Sequence, residues 1–176
     1  MKKILGIDGS KGGWIAVKQC LNHEDHTEID FRENLIELLT PDIKLAIIDM
    51  PVGLDKNPQK GGRLVDKEAR KILDKRKSSI FNAPCRVILN AANYAEANSL
   101  SKKNGLGISK QSWNLVPKIK ELDKVLRIKK RPKIYESHPE ICFQFMNDKA
   151  LKFSKKEVQG IQERKNILAK NGFSKR

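Results

Sequence analysis

The sequence is short of acid, short of cysteine, and has no long apolar run. Asp and Glu total 21 against 36 Lys and Arg, a net charge of +15, and the pI is near 9.8. A field of that sign attracts polyanions, and nucleic acid is the usual partner. A lysine-rich compositional bias would give the same excess without any partner. The three cysteines, Cys20, Cys85 and Cys142, are odd in number and far apart. None of their spacings is that of a zinc site or a redox pair, and a reduced, cytoplasmic setting fits them best. No stretch is long enough to cross a bilayer, so no membrane partner is expected. The basic start Met1-Lys2-Lys3 leads into an apolar stretch that Asp8 cuts short, which reads as a strand and not as a signal peptide. There is no internal repeat and no low-complexity tail.

What remains is one α/β domain over residues 1–176, long enough to bury a core. Ile4 to Asp8 and Leu45 to Asp49 are near-continuous apolar runs, each closed by an aspartate, as strands buried on both faces are. Trp14 to Cys20 and Thr27 to Phe31 read as two more strands, with Gly9-Ser10-Lys11-Gly12-Gly13 supplying the first tight turn. Arg32 to Leu39 reads as a short helix stopped by Pro41. A hairpin-linked trio followed by a helical crossover sets the fourth strand beside the first and parallel to it. Lys133 to Glu136, the fifth strand, then joins on the far side of the fourth, which gives the order 3-2-1-4-5.

Residues 55–132 form a helical insertion between strands 4 and 5. Arg63 to Lys77 and Asn90 to Lys102 show helical spacing. Ser109 caps a third helix, with Ile108 placed to staple onto Trp113 and Pro117 placed to kink it. Pro139 falls where the first residue of a helix belongs, and Glu157 to Lys170 is the last helix.

This arrangement brings Asp8 and Asp49 to the same end of neighbouring strands, about 4.8 Å apart. Two carboxylates that close repel, and a bound cation relieves them. Glu136, at the end of the fifth strand, extends the row. An all-oxygen ligand set on a rigid edge suits Mg²⁺ or Mn²⁺, and ligands of open α/β sheets bind at the C-terminal strand ends. The plainer alternative is that each acid only ends a strand and starts a turn.

Other residues gather round the same chemistry. Arg63, Asp66, Lys67 and Arg70 share one helical face. The arginines could grip a phosphate, or Asp66 and Arg70 could make an ordinary i,i+4 ion pair. Lys75-Arg76-Lys77-Ser78-Ser79 offers phosphate contacts through Arg76, Ser78 and Ser79, or is a basic helix end answering the dipole. His138 is a general base or a helix cap, and Glu140 answers the next helix's dipole. Gly9 to Gly13, with Lys11 near its tip, is a plain glycine turn or a phosphate cradle for a nucleotide. It lacks the Walker spacing. His23 and His26 flank an expected turn.

Six stretches carry a resemblance. They are Gly6 to Trp14, Ile48 to Leu54, Arg63 to Arg70, Arg76 to Pro84, Glu136 to Glu140, and Ser154 to Arg164. In this order they resemble a family of predicted ribonuclease-H-like nucleases, catalogued as a domain of unknown function. The resemblance implies a ribonuclease-H-like fold and a metal-dependent nuclease. Family members continue into a further helix carrying acids, so the chain, ending at Arg176, reads as shortened there. Cys85 stands where a second proline is expected. The expectation is a Mg²⁺- or Mn²⁺-dependent phosphodiester hydrolase with Asp8, Asp49 and Glu136 as ligands. Lys11, Arg63, Asp66, Arg70, Arg76, Ser78 and Ser79 would hold the substrate. The alternatives are a non-catalytic nucleic-acid-binding or scaffold protein and a nucleotide binder. Self-association, or capture of a separate C-terminal fragment, follows from a shortened chain.

Overall fold

The computed structural model describes residues 2–21 and 23–173, except the side chains of residues 22–26 and 75. The chain forms two compact units. One comprises residues 1–67 and 81–137, and the other residues 68–80 and 138–176.

The first unit is built on a five-stranded sheet. Its strands are β1 (Lys3–Ser10), β2 (Gly13–Cys20), β3 (His23–Arg32), β4 (Ile43–Ile48) and β5 (Lys133–Glu136), in the order β3-β2-β1-β4-β5. The pairs β1–β2 and β2–β3 are antiparallel, and β1–β4 and β4–β5 are parallel. This is the expected order. The β1–β2 hairpin closes through Lys11-Gly12 between the paired Ser10 and Gly13. Gly12 takes φ +79°, a conformation that a side chain disfavours. Gly13 has a different reason to be glycine, because a Cβ there would come 2.3 Å from the Arg32 carbonyl oxygen. The turn expected between His23 and His26 is strand instead, since β3 begins at His23.

Register and burial assign the two faces. Leu5, Ile7, Trp14, Ala16, Ala46, Ile48 and Ile134 share one face and are buried. They join one core with Val116, Ile119 and Leu122 of helix α3 (Lys110–Leu126). Each Leu, Ile or Val side chain among them removed from water is worth roughly 1.5–3 kcal/mol. Trp14 is fully buried. Its indole N–H donates to Glu121 Oε2 at 2.8 Å, and the Lys118 ammonium lies 4.5 Å from its ring centre. The opposite face carries Gly6, Asp8, Ile15, Val17, Ile29, Phe31 and Tyr135, all exposed.

The crossover into β4 holds only a single 3-10 turn, Leu35–Leu38, where a helix from Arg32 to Leu39 was expected. Leu35 and Leu38 are both fully buried. The Arg63 to Lys77 run is also shorter than its spacing suggests. Helix α1 (Leu64–Leu73) ends where Asp74 takes φ +38°, and a 3-10 segment, Asp74–Ser79, follows. Helix α2 (Tyr94–Lys103) is capped by Asn93, which accepts from the Glu96 amide at 2.9 Å. Ser109 caps α3 as expected, accepting from the Ser112 amide, and Pro117 lies inside that helix.

In the second unit, α4 (Pro139–Asn147) starts on its proline as expected, and α5 (Val158–Lys170) follows. A buried ion pair organises it. Arg164 donates from Nη2 to both oxygens of Glu140, at 2.6 and 2.7 Å. At Gly160 a Cβ would come 1.8 Å from the Ser154 carbonyl oxygen, so the 153–154 backbone lies directly on α5. Among the described residues no helix is long and apolar enough to cross a membrane.

Candidate active site

Asp8 and Asp49 come together as expected. Ile7 pairs with Ile48 in the parallel ladder, the last pair of the two strands, and the Asp49 amide donates to the Ile7 carbonyl at 3.0 Å as part of that pair. The two aspartates therefore occupy equivalent places at adjacent strand ends and face the same way. The Gly9 amide donates to Asp8 Oδ1 at 2.7 Å, fixing that carboxylate against its own turn. Asp8 is exposed and Asp49 half-buried.

Glu136 does not extend their row. It pairs with Ile48, so it shares the face of Ile48 and Ile7, while Asp8 and Asp49 point to the other face. Successive strand residues alternate sides, and a one-residue offset decides the face. Glu136 is instead bound by Arg63. Arg63 Nη1 lies 2.9 Å from Oε2 and Nη2 lies 2.6 Å from Oε1. The Val52 amide donates to Oε2 at 2.8 Å.

Arg63 is in turn fully engaged. Its Nε and Nη2 donate to Asp66 at 3.2 and 2.6 Å, and its Nη1 reaches the carbonyls of Val52 and Gly53 at 3.3 and 3.0 Å. All five guanidinium hydrogens thus have protein acceptors, and the residue is buried. The expected phosphate-gripping role of Arg63 is corrected to that of an internal tie joining the loop after β4, the start of α1 and the end of β5. Asp66 belongs to the same tie, with its Oδ2 also accepting the Arg63 amide at 2.9 Å. Burial alone would lower the Arg63 pKa, but hydrogen bonds to Glu136 and Asp66 outweigh it and hold the guanidinium above its ordinary value. Gly62 is needed here as well. It has φ +82°, and a Cβ would meet Asp66 Oδ2 at 2.8 Å.

Lys11 is exposed at the hairpin tip. The neighbouring cation that packs on the hairpin is Lys118, which donates to the Gly13 carbonyl. The glycines at 12 and 13 are accounted for by turn geometry and close approach, without a phosphate.

The remaining expected residues lie in the second unit. Arg70 donates to the Ile80 carbonyl from Nε at 3.2 Å and Nη2 at 3.0 Å. Arg76 donates to the carbonyls of Leu151 and Phe153 and stands 3.6 Å from Glu140. It thus has partners inside that unit while staying partly exposed. Ser79 donates to the Arg76 carbonyl at 2.8 Å, while Ser78 is exposed. The Lys75 side chain lies outside the described residues. His138 is the cap residue of α4, and its side chain makes no capping bond.

A family model described as "Protein of unknown function (DUF429)" matches residues 6–175. The chain belongs to that family. No curated protein and no solved structure matches it.

One polar residue of this DUF429 chain, Glu121, escaped the sequence reading. Glu121 accepts the Leu35 amide as well as the Trp14 indole, which ties α3 to the crossover turn. Nothing local marks it, because its partners lie 107 and 86 residues away. Among the described residues no three His, Cys, Asp or Glu side chains lie close enough to hold a metal by themselves.

Proposed function

We propose that this protein is a metal-dependent hydrolase of phosphodiester bonds in nucleic acid, built on a ribonuclease-H-like fold. The carrying observation is the pair Asp8 and Asp49, at matching ends of adjacent parallel strands and on one face. The strand order and the net charge of +15 agree with this reading. Two neighbouring carboxylates favour a divalent cation between them. Two carboxylates, with no third ligand side chain grouped with them among the described residues, fit Mg²⁺ or Mn²⁺ and not a closed structural site. Mg²⁺ is commonly held by one or two carboxylates, the rest of its shell coming from water and substrate phosphate. Such an ion supplies an activated water and neutralises the leaving oxygen. The chain's own contribution is placement. The ladder sets the two carboxylates, the Gly9 amide orients Asp8, and the Arg63 tie holds the loop that follows Asp49.

The experiment is a melting curve with and without Mn²⁺, alongside Mg²⁺-dependent cleavage of labelled DNA and RNA. A ligand bound only by the folded state raises the melting temperature. Wild type should show the shift and cleave, and Asp8→Asn with Asp49→Asn should do neither. An equal shift in the double variant would overturn the site.

A second reading, a nucleic-acid-binding protein without catalysis, is favoured by the lack of a three-ligand group among the described residues. Binding that weakens steeply with salt, together with no metal-dependent cleavage, would establish it.

A further inference from the structure

The open face of the sheet is left unused by the hydrolase reading. Two neighbouring cross-strand rows carry its exposed apolar side chains. One runs Phe31, Ile15, Asp8, and the other Ile29, Val17, Gly6, Ile47, Tyr135. All of their apolar members except the half-buried Ile47 are exposed, with Ile29 at 75%, Tyr135 at 53% and Phe31 at 47%. Scattered exposed apolar residues need no explanation, but a contiguous set marks an interaction surface.

Three features identify the occupant. Each edge strand ends a row in an aromatic ring, Phe31 on β3 and Tyr135 on β5, about 19 Å apart across the sheet. Between them Gly6 leaves a gap, since nothing lies within 4 Å of where its Cβ would be. Gly6 is two residues before Asp8 on the same strand and face, so this open spot lies next to Asp8 along β1. The opposite, N-terminal ends of the parallel strands carry exposed lysines. These are Lys2 before β1, Lys44 in β4 and Lys133 in β5, with Lys129 and Lys130 just ahead of β5.

We propose that this face binds single-stranded nucleic acid, with unpaired bases stacked on Phe31 and Tyr135 and phosphates drawn by the lysine rim. The strand would pass over Gly6 towards Asp8 and Asp49. Flat sheets with exposed rings recognise unpaired bases, and every base has a face to stack. A duplex hides those faces and would leave both rings unused. A second copy of the chain is disfavoured, because each carries +15 and would bring lysines against lysines.

The proposal rests on the nucleic-acid reading above, and its test separates the two. Fluorescence anisotropy is measured in EDTA, so that cleavage plays no part, with labelled oligo(dT), oligo(U) and a duplex of equal length. Single strands should bind more tightly than the duplex. Phe31→Ala and Tyr135→Ala should each weaken single-strand binding about 5- to 150-fold, and Tyr135→Phe should restore it. Lys133→Ala should reduce the salt slope by roughly one. Melting curves check that these variants fold, as their exposure predicts. Tighter duplex binding, or ring variants that bind like wild type, would overturn the proposal. A wild-type dimer that Phe31→Ala dissociates would assign the face to a second copy and overturn it as well. Ring-dependent binding without any metal-dependent cleavage would keep this face and overturn only the hydrolase.

Discussion

Arg63 and Glu136 meet in a two-pronged ion pair, Nη1 to Oε2 at 2.9 Å and Nη2 to Oε1 at 2.6 Å, across 73 residues of sequence. Both groups had separate functional readings in the sequence. Together they neutralise each other, and Asp66 completes the set.

Arg63→Ala should therefore cost stability more than activity at the acid pair. It would strip the buried Asp66, and Glu136 beside it, of their shared cation. Removing one partner of a buried pair typically costs about 3–5 kcal/mol. Urea unfolding measures this, and a loss below about 1 kcal/mol would show that the tie is not structural.

The two faces of the sheet should respond differently to metal. Asp8→Asn should abolish the Mn²⁺-induced rise in melting temperature, and Glu136→Gln should keep it while lowering the starting stability. If Glu136→Gln also removes the rise, Glu136 reaches the ion despite its face.

Stability should fall in acid partly through Asp123. Its hydrogen bond from Arg86, with help from Arg127, holds its pKa below the ordinary 3.8, against the opposing effect of burial. A carboxyl depressed on folding stabilises fully above its unfolded pKa, and that stability is lost as the pH drops from about 3.8 through the folded value. Asp123→Asn should flatten the stability profile in that window and leave its slope near neutral pH unchanged. Denaturation at a series of pH values reads both.

Gly160→Ala should damage the second unit. The added carbon would sit 1.8 Å from the Ser154 carbonyl oxygen, so helix and loop must part. Overpacking of this kind costs roughly 1–3 kcal/mol. Proteolysis around 150–157 should accelerate, and unchanged protection would show that the loop gives way freely.

The elements that were legible in advance are those specified by neighbours in the chain. Ile4 to Asp8 and Leu45 to Asp49 announce buried strands by composition alone, Ser109 caps because its hydroxyl reaches an amide three residues on, and Pro139 starts a helix because its φ suits the first turn. From such local signals came the strand order and the meeting of Asp8 with Asp49. The helix through Lys77 failed because the backbone turns at Asp74, which the apolar spacing does not record.

Tertiary structure alone decided the rest. The sequence says that Asp8, Asp49 and Glu136 each end a strand. It does not say that β5 pairs with β4 one residue out of step with the other two acids, which sends Glu136 through to the covered face. Nor could it show that Arg63, Arg76 and Arg164 would be spent on carboxylates and carbonyls inside the protein. Charge is attracted to whatever opposite charge the fold brings near, over any sequence distance. A local pattern can therefore name the cation, but only the packed chain selects its partner.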